Sequence, residues 1–502
     1  MAELYELTLS QARSALLSRE CGAMELTRAC CARLRATEDR LHACLSLLEE
    51  EALAQAKKLD ESGPEAHRPL WGMPLMLKDN ICLRGSPTTC ASAMLRDFVP
   101  FYDAEAAARL KSAGAIILAK NNLDEFAMGS TTENSAFGRS ANPWDLGKVP
   151  GGSSGGSAAA VSAGQAFGAL GSDTGGSIRL PAALCGCVGL KPTYGRVSRF
   201  GLVAFGSSFD QIGPLARTVE DCARLFEVIA GPDPKDSTSA RLDLYPEGLP
   251  EQNFVEAAQA GGRSPEESLK GLAVGLPKEF WEQEGLSPEV AQNCREALQV
   301  LERAGAELVP VDLPHQKYAV AAYYIMSSAE AGANLARFDG VRYGLRAKAA
   351  ADLDSFFVSS RSRGFGPEVR RRIMLGAFVL SAGYYDAYYR KAAQIRRLLR
   401  DDFDRALSRC RLLAAPVATR TAWPFGFTEN DPLAAYKMDL FTVTLNLAGL
   451  PGLALPVGLG AHSRLPVGLQ LMGRPFDEAA LLRAGAALER LVPPLGAPAA
   501  LA

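Results

Sequence analysis

The stretches GGSSGGS, residues 151–157, and GSDTGGS, residues 171–177, decide how this chain is interpreted. Glycines on either side of a serine allow tight backbone turns and let a substrate approach main-chain N–H groups. Serine hydroxyls beside such N–H groups are typical of nucleophilic attack on an acyl carbon. No histidine lies within either stretch. The two clusters therefore indicate acyl chemistry whose general base is not an imidazole.

A lysine upstream of the clusters is the candidate base. Lys78 follows an apolar run at residues 72–77, which we interpret as a buried strand. A lysine accepts a proton near neutral pH only if its surroundings lower its pKa, and burial among these apolar neighbours does so if the side chain points inward. A lysine after an apolar run can equally extend to solvent, so the sequence leaves both orientations open.

Several familiar motifs fit the clusters less well than serine chemistry with a lysine base does. Residues 151–155 match the G-x-S-x-G pattern of α/β-hydrolases, which requires a histidine later in the chain. Only His315 and His462 follow Ser153, and both lie in polar, loop-like segments. Neither cluster has the lysine of a phosphate-binding loop or the G-x-G-x-x-G pattern of a dinucleotide site. Two glycine-rich loops without chemistry remain the alternative to a catalytic interpretation.

Composition narrows the class of protein. The 502 residues are 48% hydrophobic and 22% charged, which is typical of a globular protein with a large core. The net charge of -2 gives no electrostatic signature of nucleic-acid or membrane binding, so we do not expect this chain to make the main contact with any RNA. No membrane-spanning apolar run or signal peptide is recognisable, and eleven cysteines without a C-x-x-C pair suit reduced thiols. We expect a cytoplasmic location.

Apolar runs alternating with amphipathic segments predict an α/β fold whose sheet is covered by helices on both faces. Helical patterns occupy residues 25–62, 103–113, 352–409 and 477–491. A polar stretch from Asp233 to residue 269 is either a surface excursion or a linker, and the strands predicted beyond it favour the excursion. The predicted strands are residues 72–77, 115–119, 271–276, 307–313, 412–417, 453–457 and 467–472.

These features together resemble the amidase signature family. Lys78, residues 151–157 and residues 173–181 are the most specific part of a likeness that covers almost the whole chain. The resemblance implies a single large α/β domain with a mixed central sheet over residues 1–502. Its parts are an N-terminal helical portion (1–65), a signature core (66–230), a polar surface excursion (231–270) and the remaining sheet with the substrate-binding portion (271–502).

The resemblance implies a Ser–cisSer–Lys triad. Ser177 is then the nucleophile, Ser153 relays the proton from a position after a cis peptide bond, and Lys78 accepts it. The implied oxyanion donors are the backbone N–H groups of Thr174, Gly175, Gly176 and Ser177. Asp173 and Arg179 are expected to brace this loop. No metal site is expected.

Within the family, the likeness is strongest to the glutaminase subunits of tRNA-dependent amidotransferases. It rests on residues 123–130, 190–198, 338–344, 371–376 and 446–452. It implies that free glutamine is held by Tyr323, Arg372 and Asp439, since a guanidinium can pair with the α-carboxylate and a carboxylate with the α-ammonium. Tyr324 is an alternative to Tyr323, and Arg372 belongs to a run of three arginines that could instead be an exposed helix face.

The same likeness implies that amidotransferase subunits B and C are partners in a heterotrimer. Ammonia from glutamine would pass to the larger of the two, the B subunit, which binds ATP, Mg²⁺ and most of the tRNA, and the small C subunit would brace the pair. Glu-tRNA(Gln) is the expected acceptor, with Asp-tRNA(Asn) left open, and no cofactor is expected on this chain.

A stand-alone amidase for small amides is the alternative, and it predicts an apolar pocket in place of Arg372 and Asp439. A non-enzymatic scaffold predicts that Ser177→Ala has no effect.

Overall fold

The strands of the structure join into one mixed sheet. The computed structural model describes residues 3–241, 252–427, 436 and 438–501. The strands within those residues are β1 Cys44–Leu47, β2 Pro74–Lys78, β3 Ile116–Asn121, β4 Gly168–Asp173, β5 Val188–Lys191, β6 Gln211–Ala216, β7 Ala273–Pro277, β8 Glu307–Val311, β9 Leu412–Pro416, β10 Gly452–Leu459 and β11 Pro466–Met472. Their order is β1-β3-β2-β4-β6-β5-β10-β11-β9-β7-β8.

Parallel pairing near one end of this sheet brings the serine clusters towards Lys78. β2 is parallel to both β3 and β4, whereas β4 is antiparallel to β6. Neighbouring parallel strands end at the same edge of a sheet, so the residues that end β2 and those that follow β4 must lie close together. Lys78 ends β2, and residues 174–177 follow β4.

Helices cover the sheet. Every residue of β2 to β6 is buried, and successive strand side chains point to opposite faces, so both faces are covered as predicted. No helix in the described part of the chain combines the length and hydropathy needed to cross a membrane. The helices are α1 Leu9–Leu17, α2 Ala23–Leu41, α3 Glu49–Ser62, α4 Glu105–Ser112, α5 Gly155–Ser162, α6 Arg179–Cys185, α7 Val219–Ile229, α8 Phe254–Gln259, α9 Pro265–Leu269, α10 Lys278–Trp281, α11 Pro288–Arg303, α12 Ala319–Leu335, α13 Leu353–Gly364, α14 Pro367–Leu380, α15 Arg390–Arg409, α16 Val443–Ala448 and α17 Glu478–Leu491.

The seven predicted strands are confirmed as β2, β3 and β7 to β11, with shifted ends, but four strands were not predicted. Among these, β4 contains glycine, which normally disfavours a strand. Close packing explains Gly171 in β4, because a Cβ there would lie 2.9 Å from Ser154 Oγ and 2.8 Å from Leu215 Cδ1. The missing side chain lets β4 approach the first serine cluster.

The continuous helical pattern predicted over residues 25–62 is wrong in its middle. α2 ends at Leu41, and His42 adopts a left-handed φ of 47°. Cys44 then begins β1, which pairs it with Asn121 at the edge of the sheet. No glycine or proline marks this helix end, so pairing with a distant strand decides it.

The polar segment at residues 231–270 contributes more to the core than a surface excursion would. Its residues 242–251 lie outside the described residues. Beyond them, α8 buries Phe254 against α7, with the rings of Phe226 and Phe254 4.5 Å apart. Ala257 and Ala258 of α8 are also buried in the main core. The four-part division of the chain stays a prediction.

Candidate active site

Lys78 points inward. Its side chain is completely buried, so solvent exposure, the other orientation considered from the sequence, is excluded. The Lys78 Nζ lies 2.7 Å from Ser153 Oγ and 2.9 Å from each of Ser154 Oγ and Ser172 Oγ. The amine is therefore surrounded by hydroxyl groups from both serine clusters.

Burial gives this amine the properties of a base near neutral pH. It lowers the pKa of Lys78 to about 7, while the carboxylates of Asp124, Asp173 and Asp210 oppose the shift. A substantial fraction of the amine is neutral at that pH. A neutral amine 2.7 Å from a hydroxyl oxygen can accept its proton.

The first cluster packs tightly against the loop around residues 124–132. The Gly152–Ser153 peptide bond is cis. A Cβ at Gly152 would collide with the Asp124 carboxylate, so glycine is required there by close packing. Asp124 in turn accepts the backbone N–H of Thr132 at 2.9 Å. These contacts hold Ser153 beside Lys78.

Ser177 lies between β4 and α6 and is 8% exposed. Its carbonyl oxygen accepts the backbone N–H of Ser154 at 3.1 Å, which joins the two clusters. The Ser177 hydroxyl makes no hydrogen bond with any residue that the structure describes, and Ser177 borders a small cavity. Ser177 thus lies at the wall of a cavity and is joined through Ser154 to the contacts between Lys78 and the serine hydroxyls. This arrangement suits attack by Ser177 on a bound carbonyl group.

A buried ion pair holds the loop of Ser177. Asp173 Oδ2 lies 3.2 Å from Arg179 Nε, and both side chains are completely buried. Arg179 also donates to Asn446 Oδ1 at 2.6 Å and to Gln470 Oε1 at 3.0 Å, which ties the loop to α16 and β11. Burial raises the pKa of Asp173, but the charge and hydrogen bond of Arg179, the charge of Lys191 and the hydrogen bond from Asn446 together outweigh burial, and the pKa falls to about 2. Asp173 is therefore a permanent anion that anchors the loop.

The backbone N–H groups expected to stabilise the oxyanion are not all free to donate a hydrogen bond to it. The Gly176 N–H donates to Asp173 Oδ1 at 2.8 Å and is engaged before any substrate arrives. Gly176 has a φ of 129°, a conformation that favours glycine. This geometry favours Thr174, Gly175 and Ser177 over Gly176 as donors to an oxyanion.

The cavity beside Ser177 contains two buried charges. Arg372 is 3% exposed and so does not belong to a solvated helix face. Its Nε donates to Glu368 Oε1 at 2.6 Å. Burial raises the pKa of Asp439 to about 6, and hydrogen bonds from Tyr324 and Ser130 oppose this shift. The cavity is lined, among other residues, by Ser130, Ser177, Tyr323, Tyr324, Arg372 and Asp439.

The adjacent tyrosines of α12 have different neighbours. The Tyr323 ring lies against the loop of Ser177, since a Cβ at Gly175 would be 2.5 Å from Tyr323 Cζ. Tyr324 instead donates its hydroxyl to Asp439 Oδ2 at 2.5 Å. Both line the cavity, Tyr323 on the side of the oxyanion loop and Tyr324 on the side of Asp439.

The sequence did not predict three serines that contact Lys78 or the cavity carboxylate. Ser154 and Ser172 contact Lys78, and Ser130 donates to Asp439 Oδ1 at 2.7 Å. Ser154 and Ser172 lie within the two clusters, so cluster membership was the available signal. Ser130 ends the stretch at residues 123–130 and has no local feature that marks it. These serines differ from the other serines of the chain in the direction of their side chains, which a sequence pattern does not give.

The histidine alternative finds no support in the described residues. The Nδ1 atom of His315 lies 3.0 Å from Asp402 Oδ1, and the backbone of His462 contacts Glu289. No contact in the described ranges joins either histidine to a serine of the clusters. A Ser-His-Asp triad is therefore absent from that part of the chain.

Comparisons with known proteins show what the whole chain is similar to. The family model described as Amidase matches residues 25–482. A curated protein of Nitratidesulfovibrio vulgaris (strain DP4), named as the A subunit of glutamyl-tRNA(Gln) amidotransferase, is 58% identical over 501 residues, which is 100% of both chains. The crystal structure of the A subunit of glutamyl-tRNA(Gln) amidotransferase from Thermotoga maritima is 40% identical with a TM-score of 0.77, covering 98% of this chain and 96% of that one. A peptide amidase from Stenotrophomonas maltophilia is 32% identical with a TM-score of 0.80, covering 98% and 99% respectively.

Proposed function

The chain belongs to the amidase family, and we propose that it is the glutamine-hydrolysing subunit of a glutamyl-tRNA(Gln) amidotransferase. One observation supports this most directly: Ser177 borders a small cavity that also contains the buried Arg372 and Asp439. A guanidinium and a carboxylate in one cavity match the α-carboxylate and α-ammonium of a free amino acid. The side-chain amide of glutamine can then reach the serine.

The proposed reaction begins with proton transfer along the contacts of Lys78. Neutral Lys78 accepts the Ser153 proton, Ser153 accepts that of Ser177, and Ser177 Oγ forms a bond to the amide carbon of glutamine. The carbonyl oxygen becomes an oxyanion, and backbone N–H donors at Thr174, Gly175 and Ser177 stabilise it. Each important donor of this kind contributes about 3–4 kcal/mol.

The second half of the reaction returns the protons. The C–N bond breaks as the relay protonates the leaving nitrogen, which departs as ammonia and leaves a glutamyl ester on Ser177. Water then attacks the ester with Lys78 and Ser153 again moving the proton. Glutamate leaves, and the Ser177 hydroxyl is restored.

In this proposal the ammonia is used by the other members of a heterotrimer, subunits B and C. The B subunit, with ATP and Mg²⁺, converts Glu-tRNA(Gln) to Gln-tRNA(Gln), and the small C subunit braces the pair. The chain's charge of -2 agrees with tRNA contacts made mainly elsewhere. Such a role places the chain in the cytoplasm.

A stand-alone amidase is the second candidate, because the peptide amidase shares the fold with a TM-score of 0.80. The fold alone therefore does not separate the two functions. The cavity favours glutamine, since an amidase for apolar amides gains nothing from burying both Arg372 and Asp439.

Conversion of Glu-tRNA(Gln) to Gln-tRNA(Gln) tests the proposal. The chain, co-expressed with candidate subunits B and C, is expected to form product from ATP and either glutamine or an ammonium salt. Product from ammonium but not from glutamine would mean that the site serves another amide. No product from either nitrogen source would contradict the proposed complex.

The pH dependence of kcat tests the role of Lys78. With its pKa at about 7, the amine is protonated and inactive at lower pH. We expect kcat for glutamine hydrolysis to rise about tenfold per pH unit below this value and to level off above it, because only the neutral amine accepts a proton. Measurement at saturating glutamine reports the groups of the enzyme–substrate complex.

Lys191 provides the control for this pH profile. It is also buried, burial lowers its pKa to about 7, and its Nζ donates to Gln211 Oε1 at 2.9 Å. Lys191 is not among the residues of the cavity. In Lys191→Met the rise of kcat should occur at the same pH as in the wild type, even if the variant changes the absolute value of kcat. Loss of the rise in that variant would assign it to Lys191 instead of Lys78.

A further inference from the structure

Among the described residues that line the cavity, Tyr324 touches both of its charges. Its hydroxyl donates to Asp439 Oδ2 at 2.5 Å. Its ring lies 4.4 Å from the Arg372 guanidinium carbon, a cation–π contact. A single rigid side chain with two rotatable χ angles thus spans the distance between the positive and the negative group.

Other contacts keep this arrangement in place. The ring of Tyr436 stacks on that of Tyr324 with centroids 3.9 Å apart. The Tyr436 hydroxyl donates to Glu368 Oε1 at 3.2 Å, and the same oxygen accepts the Nε of Arg372. Glu368 engages Nε, and no residue in the described ranges accepts a hydrogen bond from the two terminal nitrogens of the guanidinium, which can therefore bind a ligand carboxylate. The tyrosine stack and Glu368 therefore orient Arg372 without covering its fork.

Asp439 is fixed in the same way. Ser130 donates to Oδ1 at 2.7 Å, and Tyr324 donates to Oδ2. Each oxygen has further lone pairs that can accept from a ligand ammonium. The carboxylate is thus held from two sides while keeping capacity for a substrate.

We propose that Tyr324 is a positioning residue that sets the spacing between Arg372 and Asp439 and so makes the site selective for amides with both an α-carboxylate and an α-ammonium group. This inference rests on the proposed function and adds to it a residue that the sequence offered only as a substitute for Tyr323. Tyr323 packs on the oxyanion loop and does not contact Asp439 by a described hydrogen bond. The two neighbouring tyrosines therefore have separate roles.

Two substrates separate positioning from general damage. Glutamine has both α groups, whereas glutaramic acid has the same amide and carboxylate but lacks the α-ammonium. In Tyr324→Phe the ring stays over Arg372 and only the hydroxyl donor to Asp439 is lost. We expect kcat/KM for glutamine to fall about ten- to a hundredfold, mainly through KM, because Asp439 loses the hydrogen bond that fixes it and then binds the α-ammonium of glutamine less tightly in the ground state. The value for glutaramic acid should change less than about threefold, because it has no group for Asp439.

The pH profile gives a second readout. Removal of the Tyr324 donor should raise the pKa of Asp439, already raised by burial to about 6. The charged or titratable neighbours acting on Asp439 are Arg372 from α14, Tyr323 and Tyr324 from α12, and Asp173 from the serine loop. Glutamine binding needs ionised Asp439, so the rise of kcat/KM should move to higher pH while that of kcat stays in place.

The assay uses the chain co-expressed with its partner subunits and measures glutamate and ammonia release. Tyr318→Phe is the matched control, since Tyr318 precedes α12, is 45% exposed and does not line the cavity. That control should keep the substrate ratio of the wild type. If Tyr324→Phe lowers kcat/KM equally for both substrates, or leaves the ratio of the two values as in the wild type, the role of Tyr324 is overturned but the proposed function is not. A wild type that does not hydrolyse glutamine would overturn the proposed function and this inference with it.

Discussion

Ser177→Ala is expected to abolish glutamine-dependent formation of Gln-tRNA(Gln) while leaving the ammonium-dependent reaction intact. The hydroxyl that would form the acyl ester is removed, and neither Lys78 nor Ser153 can replace it from its buried position. Removal of the nucleophile from a hydrolytic triad typically lowers kcat by on the order of 10⁴-fold or more. Free ammonia bypasses this step, because only the transfer to activated tRNA remains.

Initial rates of aminoacyl-tRNA conversion with each nitrogen source measure this effect. Ser268→Ala is the control, a half-buried serine on α9 whose hydroxyl donates only to the carbonyl of Ser264 among the described residues. It should retain both activities. Glutamine-dependent activity in Ser177→Ala would exclude Ser177 as the nucleophile. Loss of the ammonium reaction as well would show that the variant disturbs the complex and not only the chemistry.

Arg179→Met is expected to lower the free energy of unfolding by about 3–5 kcal/mol, because it leaves a buried carboxylate without its partner. Arg179 is completely buried and holds Asp173, Asn446 and Gln470 together. Methionine fills similar apolar volume but makes none of these hydrogen bonds. The same change should release the loop of Ser177 and reduce glutamine hydrolysis.

Denaturant unfolding at several pH values measures this destabilisation. Asp173 has a folded pKa of about 2, below the usual value near 3.9 of an unfolded aspartate, so its contribution is complete above pH 3.9 and is lost as pH falls through 2. Without Arg179, burial instead raises the folded pKa above the unfolded value, and the penalty of burying the charge is relieved as pH falls. The difference between wild type and variant should therefore shrink towards pH 4.

Arg397→Met is the matched control for this measurement. Arg397 pairs with Asp401 at 2.9 Å, but its side chain is 78% exposed. A solvent-exposed pair of this kind contributes about 0.5 kcal/mol or less. A loss in Arg179→Met no larger than that in Arg397→Met would contradict the anchoring role of the buried pair.

Local patterns in the sequence were enough to predict most of the sheet. The buried strands β2 and β3 appear as short apolar runs, and the serine clusters indicate acyl chemistry without histidine. The family resemblance added the roles of Ser177, Ser153 and Lys78, which remain predictions for experiment. These features are local in the chain or belong to recurrent motifs, so no three-dimensional information is needed to recognise them.

The tertiary structure decided what depends on distant neighbours. β4 became a strand despite its glycines because Gly171 must pack against Ser154, and α2 stops at Leu41 because β1 pairs with β3. Arg372 lies within a basic helical run, but packing against Tyr324 turns it into the cavity. Burial, charge partners and side-chain direction all arise from residues far apart in the chain, and a linear pattern cannot specify them. For that reason the sequence by itself determined the fold class and the chemistry of the clusters, whereas only the folded chain determined the buried state of Lys78 and the different neighbours of Tyr323 and Tyr324.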